Sequence, residues 1–148
     1  NMKALLSLGF LLLSVNVQAK VFERCEIAKV MKTQGLDGFA GISLAHWVCM
    51  AQHESHLNTL LTKSFGGRDT VYGIFQITSE YWCDDGKMPK LPNHCGMPCS
   101  ALLQDDITQA IQCAKTVAKS AQGMKAWSSW TRHCQHEDVS EYIKNCGV

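Results

Sequence analysis

The chain has almost no surplus of charge: 14 Lys and Arg stand against 13 Asp and Glu, a formal net charge of +1. With no basic stripe in any segment, that balance argues against nucleic acid as a partner. Internal repeats, low-complexity tracts and long linkers are missing as well, so the 148 residues fit one domain, large enough to bury its own core. Prolines are few, and Pro89, Pro92 and Pro98 fall together in a stretch that reads as loop. Only one apolar run is extended, from Ala4 to Val17, and it is shorter than the ~20 residues a membrane span needs. No membrane association is expected. The metalloprotease spacing His-Glu-x-x-His is also lacking, because the histidines beside Glu54 stand in the order His53-Glu54-Ser55-His56.

What the apolar run does carry is an address. Lys3 gives it a basic start and Val17-Gln18-Ala19 places small residues at its end, so residues 2–19 read as a secretory signal and 20–148 as the mature domain. A secreted, extracellular protein is expected. Removing Lys3 with the signal leaves 13 basic residues against 13 acidic ones, and the mature chain is neutral before any histidine protonates.

Eight cysteines remain in that domain: Cys25, Cys49, Cys83, Cys95, Cys99, Cys113, Cys134 and Cys146. In an oxidising compartment they read as four disulfides, although eight cysteines allow 105 connectivities. A zinc site built on Cys95-x3-Cys99 would leave the other cysteines unexplained and fits that compartment poorly. No metal or other cofactor is expected.

Apolar periodicity supplies the elements. Phe22, Ile27, Val30 and Met31 form a helical stripe over 22–33 that ends before Gly35. Ser43 is the expected N-cap of a second helix, which runs through Trp47, Val48 and Met50 and delivers Glu54 near its C-terminal end. The helix dipole disfavours a negative charge there. Asn58 to Thr70 is polar, with Gly66-Gly67 as a turn signal, and Val71 to Thr78 alternates as a half-exposed strand or hairpin. Ile107 to Ala118 is again helical, capped by Asp105 or Asp106, and brief helices are expected near 124–130 and 139–143. The fold class that results is α+β: a helical lobe, a small antiparallel β-hairpin lobe and a cleft between them.

Tyr72-Gly73-Ile74-Phe75-Gln76-Ile77, followed by Tyr81, Trp82 and Cys83, resembles the central hairpin of the C-type lysozymes and their sister α-lactalbumins. The resemblance extends from Lys20-Val21-Phe22-Glu23-Arg24-Cys25 to Asn145-Cys146-Gly147-Val148. It takes in Gly41-Ile42-Ser43-Leu44-Ala45, Ala51-Gln52-His53-Glu54-Ser55, Cys99-Ser100-Ala101-Leu102-Leu103-Gln104-Asp105 and Ala126-Trp127. It implies a lysozyme-like monomer with disulfides Cys25 to Cys146, Cys49 to Cys134, Cys83 to Cys99 and Cys95 to Cys113. The implied activity is antibacterial hydrolysis of β-1,4 links in peptidoglycan or another amino-sugar glycan.

Such hydrolysis generally uses two carboxyl groups, which in a retaining enzyme sit ~5 Å apart. Lysozymes are themselves the type case of this chemistry, so the pattern is carried over from the family. Glu54 matches the general acid, and Trp127 the tryptophan whose apolar surface raises its pKa. The second carboxylate is missing, because the residue before Tyr72 is Val71 where active members hold aspartate. Asp69 lies on the same strand face but displaced by ~6.5 Å, and can substitute only through a change of register. Its other role is that of a solvated turn residue.

Gln76, Tyr81, Trp82 and Trp127 match substrate-binding positions, while Trp47 and Trp130 are expected in the core. Thr78 replaces the family's usual asparagine, and Glu80 its frequent basic residue. The calcium site of α-lactalbumins is not expected, since Gln104, Gln109 and Ala110 stand where carboxylates are needed and Asp105 and Asp106 alone make a poor cage. Two functions follow: a hydrolase weakened by the loss at Val71, or a non-catalytic glycan-binding or α-lactalbumin-like regulatory protein.

Overall fold

In a computed structural model of the chain, residues 19–66 and 69–148 are described. Apart from Ala19, the expected signal 2–19 lies outside the described residues, as does Gly67 of the expected turn.

Helix α1 spans Arg24–Thr33 and buries Ile27, Ala28 and Met31. It starts later than its apolar stripe because the backbone N–H of Glu23 is taken by the Glu26 carboxylate (3.1 Å), which closes the first turn from outside. Helix α2, Leu44–Ser55, is apolar nearly all round, with Trp47, Val48, Cys49, Met50 and Ala51 buried. It is therefore the central helix of the helical lobe. Ser43 holds the cap position but makes no side-chain cap bond. The orphan N–H of Leu44 instead donates to Asp37 Oδ1 at 3.1 Å, so the cap comes from the preceding turn.

Three short strands follow: β1 Thr62–Ser64, β2 Thr70–Tyr72 and β3 Ile77–Thr78, antiparallel in the order β1-β2-β3. Lys63 pairs with Val71, and Val71 in turn with Thr78. The alternation over 71–78 is thus a hairpin rather than one strand, with Gly73 to Gln76 forming its turn. Ile74 and Phe75 are apolar because the turn itself is buried, at 0% and 1% exposure. Gly73 is required: its φ is +80°, and a Cβ there would lie 2.0 Å from the Leu102 carbonyl oxygen.

Helix α3, Thr108–Ala118, begins where Asp106 Oδ1 accepts from the Thr108 N–H (3.0 Å) and hydroxyl (2.6 Å). A 3-10 turn at Cys99–Leu103 precedes it, and another at Gly123–Ala126 leads into α4, Ser128–His133. A last 3-10 turn, Ser140–Ile143, packs with α4 and α1 on α2. Trp47 and Trp130 are both buried in this core. Disulfides join Cys25 to Cys146, Cys49 to Cys134, Cys83 to Cys99 and Cys95 to Cys113.

Candidate active site

The end of α2 is fastened to the hairpin turn. Ser55, 1% exposed, donates its hydroxyl to the Ile74 carbonyl at 2.7 Å. From the other side, Trp127 Nε1 donates to the Phe75 carbonyl at 2.7 Å. Two consecutive carbonyls of the turn are thus held by different elements, which fixes the sheet relative to α2 and α4. Gln76 completes the joint: its Nε2 donates to Leu61 and Gly73 carbonyls, both at 2.8 Å, while its buried Oε1 has no partner.

Between these walls runs a cleft of about 280 Å³ lined by Glu54, Lys63, Phe65, Asp69, Val71, Gln76, Thr78, Ala126, Trp127 and Ser128. Glu54 enters it from the last turn of α2. Burial pushes its carboxyl up to about 7, against the smaller opposing effects of a hydrogen bond from Ser129 and the positive charge of Lys63. At neutral pH this group is poised between a proton donor and a carboxylate. Val71 lies in the middle of the sheet row Lys63, Val71, Thr78 and offers no polar atom.

Asp69 shares the cleft but is engaged, because the Thr78 hydroxyl donates to its Oδ1. It sits in the β1-β2 connection, where its carbonyl accepts from the Phe65 N–H at 2.9 Å. Trp82 lies in a smaller adjoining hollow with Gln76, Thr78 and Trp127. Trp127 is 3% exposed, so it shows the cleft only an edge, packed against Trp47 with ring centroids 6.0 Å apart. Tyr81, 49% exposed, stands outside both hollows. His53 turns away from the cleft to stack on His133 (centroids 4.4 Å) and to bond Tyr142 through Nε2.

The sequence reading overlooked Lys63, Phe65 and Ser129. Their segments carry no periodicity that would place them; only the pairing of Lys63 with Val71 brings the first two to the cleft. Among the described residues no group of three or more His, Cys, Asp or Glu converges as a metal site would require.

A helical lobe and a small sheet, in a chain held by four disulfides and with a half-buried acid at the seam between the two, define a lysozyme-like fold. The model of the C-type lysozyme/alpha-lactalbumin family matches residues 20–146, and the chain belongs to that family. Over 148 residues, 99% of this chain and the whole of the relative, it is 62% identical to lysozyme C-1 of Rattus norvegicus. Over the same spans it is 57% identical to lysozyme C of Halichoerus grypus and to the non-stomach isozyme of lysozyme C of Bos taurus.

Proposed function

We propose that this protein is a secreted, monomeric glycoside hydrolase of the lysozyme type, acting on β-1,4 links of bacterial peptidoglycan or a similar amino-sugar glycan. Residues 2–19 are its signal and 20–148 its working domain. Glu54 carries the reading, because a carboxyl held near 7 at the wall of a cleft can give a proton to the leaving glycosidic oxygen at neutral pH. Trp82 and the edge of Trp127 face the sugar chain within the hollows, buried Gln76 braces that wall, and Tyr81 meets the chain only where it runs beyond them.

As the C–O bond breaks, positive charge builds on the sugar, and Val71 has nothing with which to meet it. Loss of such stabilisation costs about 2.7 kcal/mol or more, roughly a hundredfold in rate. Asp69 is the nearest substitute, but its bond from Thr78 holds it as a turn residue first. The enzyme is therefore slow rather than dead. Release of reducing ends from purified peptidoglycan tests this: the protein should release them and Glu54→Gln should not. Equal, background release by both would leave the second reading, a glycan-binding protein without turnover, which Val71 and the engaged Asp69 favour.

A further inference from the structure

The register sets Lys63 directly beside Val71. An acidic residue at position 71 would stand about 5 Å from Lys63, Cβ to Cβ, and neutralise it. Val71 cannot. Among the described residues the one salt bridge joins Lys20 and Glu26, so the Lys63 ammonium meets the cleft unpaired. Two acidic residues line this cleft with it: Glu54, which burial keeps largely protonated below about 7, and Asp69, whose bond from Thr78 draws it toward β3, two strand spacings or about 9–10 Å from β1.

The pairing of β1 with β2 runs one residue past the strand, through the bond from the Phe65 N–H to the Asp69 carbonyl. Phe65 therefore falls on the same face as Lys63, roughly 6.6 Å along the strand, about the span of one sugar ring with a substituent. Its side chain is 66% exposed and lines the cleft. An aromatic face, an aliphatic neighbour and an unpaired cation thus meet on one wall.

We propose that Phe65, Val71 and Lys63 form a subsite for a sugar ring that carries a carboxylate, and that this cleft prefers anionic to neutral oligosaccharides. The ring's C–H face lies on Phe65 and Val71, and its carboxylate takes a charge-assisted bond from Lys63 Nζ. The proposal rests on the glycan-cleft reading and names the substrate class within it.

Calorimetric titration of the disulfide-bonded protein near pH 6 separates the two. The neutral probe is chitotetraose. One charged probe of equal length alternates glucuronate with N-acetylglucosamine, placing the carboxylate on the ring; a peptide-free N-acetylmuramate oligomer places it on a short side chain. At least one charged probe should bind about fivefold more tightly than chitotetraose at low salt, an advantage that fades by about 0.3 M salt. Lys63→Gln should bring that ratio near one, Val71→Asp should do the same by giving Lys63 an internal partner, and Phe65→Ala should weaken all probes. Lys63 and Phe65 are exposed, and near-ultraviolet circular dichroism verifies that the variants keep the fold. Equal binding of charged and neutral probes, or a ratio that survives Lys63→Gln, overturns the proposal and leaves the glycan reading intact. No binding of any probe overturns both.

Discussion

Glu54 titrates against its own burial. Its folded pKa of about 7 lies above the 4.5 of an unburied glutamate, so between those values the folded state holds a proton that the unfolded chain has lost. Stability contributed by the neutral carboxyl is complete below pH 4.5 and declines as pH rises toward 7. Glu54→Gln, which cannot ionise, should therefore stabilise the protein at pH 8 relative to pH 4, by about 2 kcal/mol once partial solvent exposure is discounted. Urea unfolding at the two pH values checks it. Turnover has the same sign, since the donor form is lost above about 7, and kcat should fall there. Asp69→Asn, which keeps an acceptor for Thr78, should leave turnover within about twofold. Glu54 was legible in the sequence because it sits inside a long family motif at a helix end. Lys63 and Phe65 were not, because their segment is polar, aperiodic and placed only by its pairing with β2.

The hairpin turn is the element on which the cleft depends. Its alternation reads as a strand or a hairpin, and the hairpin forms, with Ile74 and Phe75 buried in a turn clamped from both sides. Period two cannot distinguish these cases; the tertiary bonds from Ser55 and Trp127 do. Ser55→Ala should leave the Ile74 carbonyl without its partner at a cost of about 1–3 kcal/mol, measured by thermal unfolding. Gly73→Ala should be worse, since its Cβ would meet the Leu102 backbone at 2.0 Å; expression should yield little folded protein. The helices were easier to foresee because their stripes are long, and Ser43 does hold the cap position of α2, but the side-chain bond to the Leu44 N–H comes from elsewhere. Asp37, which supplies that bond, is seven residues from Leu44, beyond the reach of a local capping rule.

At the scale of the whole molecule, disulfides close the fold around the cleft. Cys25 and Cys146 are 121 residues apart, whereas Cys83 and Cys99 are separated by 16. Replacing the first pair by alanine should cost about 4–5 kcal/mol and the second about 3, compared by denaturant midpoint. That four bonds form was readable from the number of cysteines and the apolar leader; which cysteines meet came only with the family resemblance. The same scaffold presents an acid on one wall of the cleft and Val71 on the other, and the central claim is that this single side chain limits the rate. The direct measurement is kcat on purified peptidoglycan for the protein, Val71→Asp, and Val71→Asp with Glu54→Gln. Val71→Asp should raise kcat by roughly a hundredfold, and adding Glu54→Gln should abolish the gain. No increase with Val71→Asp, in a protein that remains folded, would contradict the account.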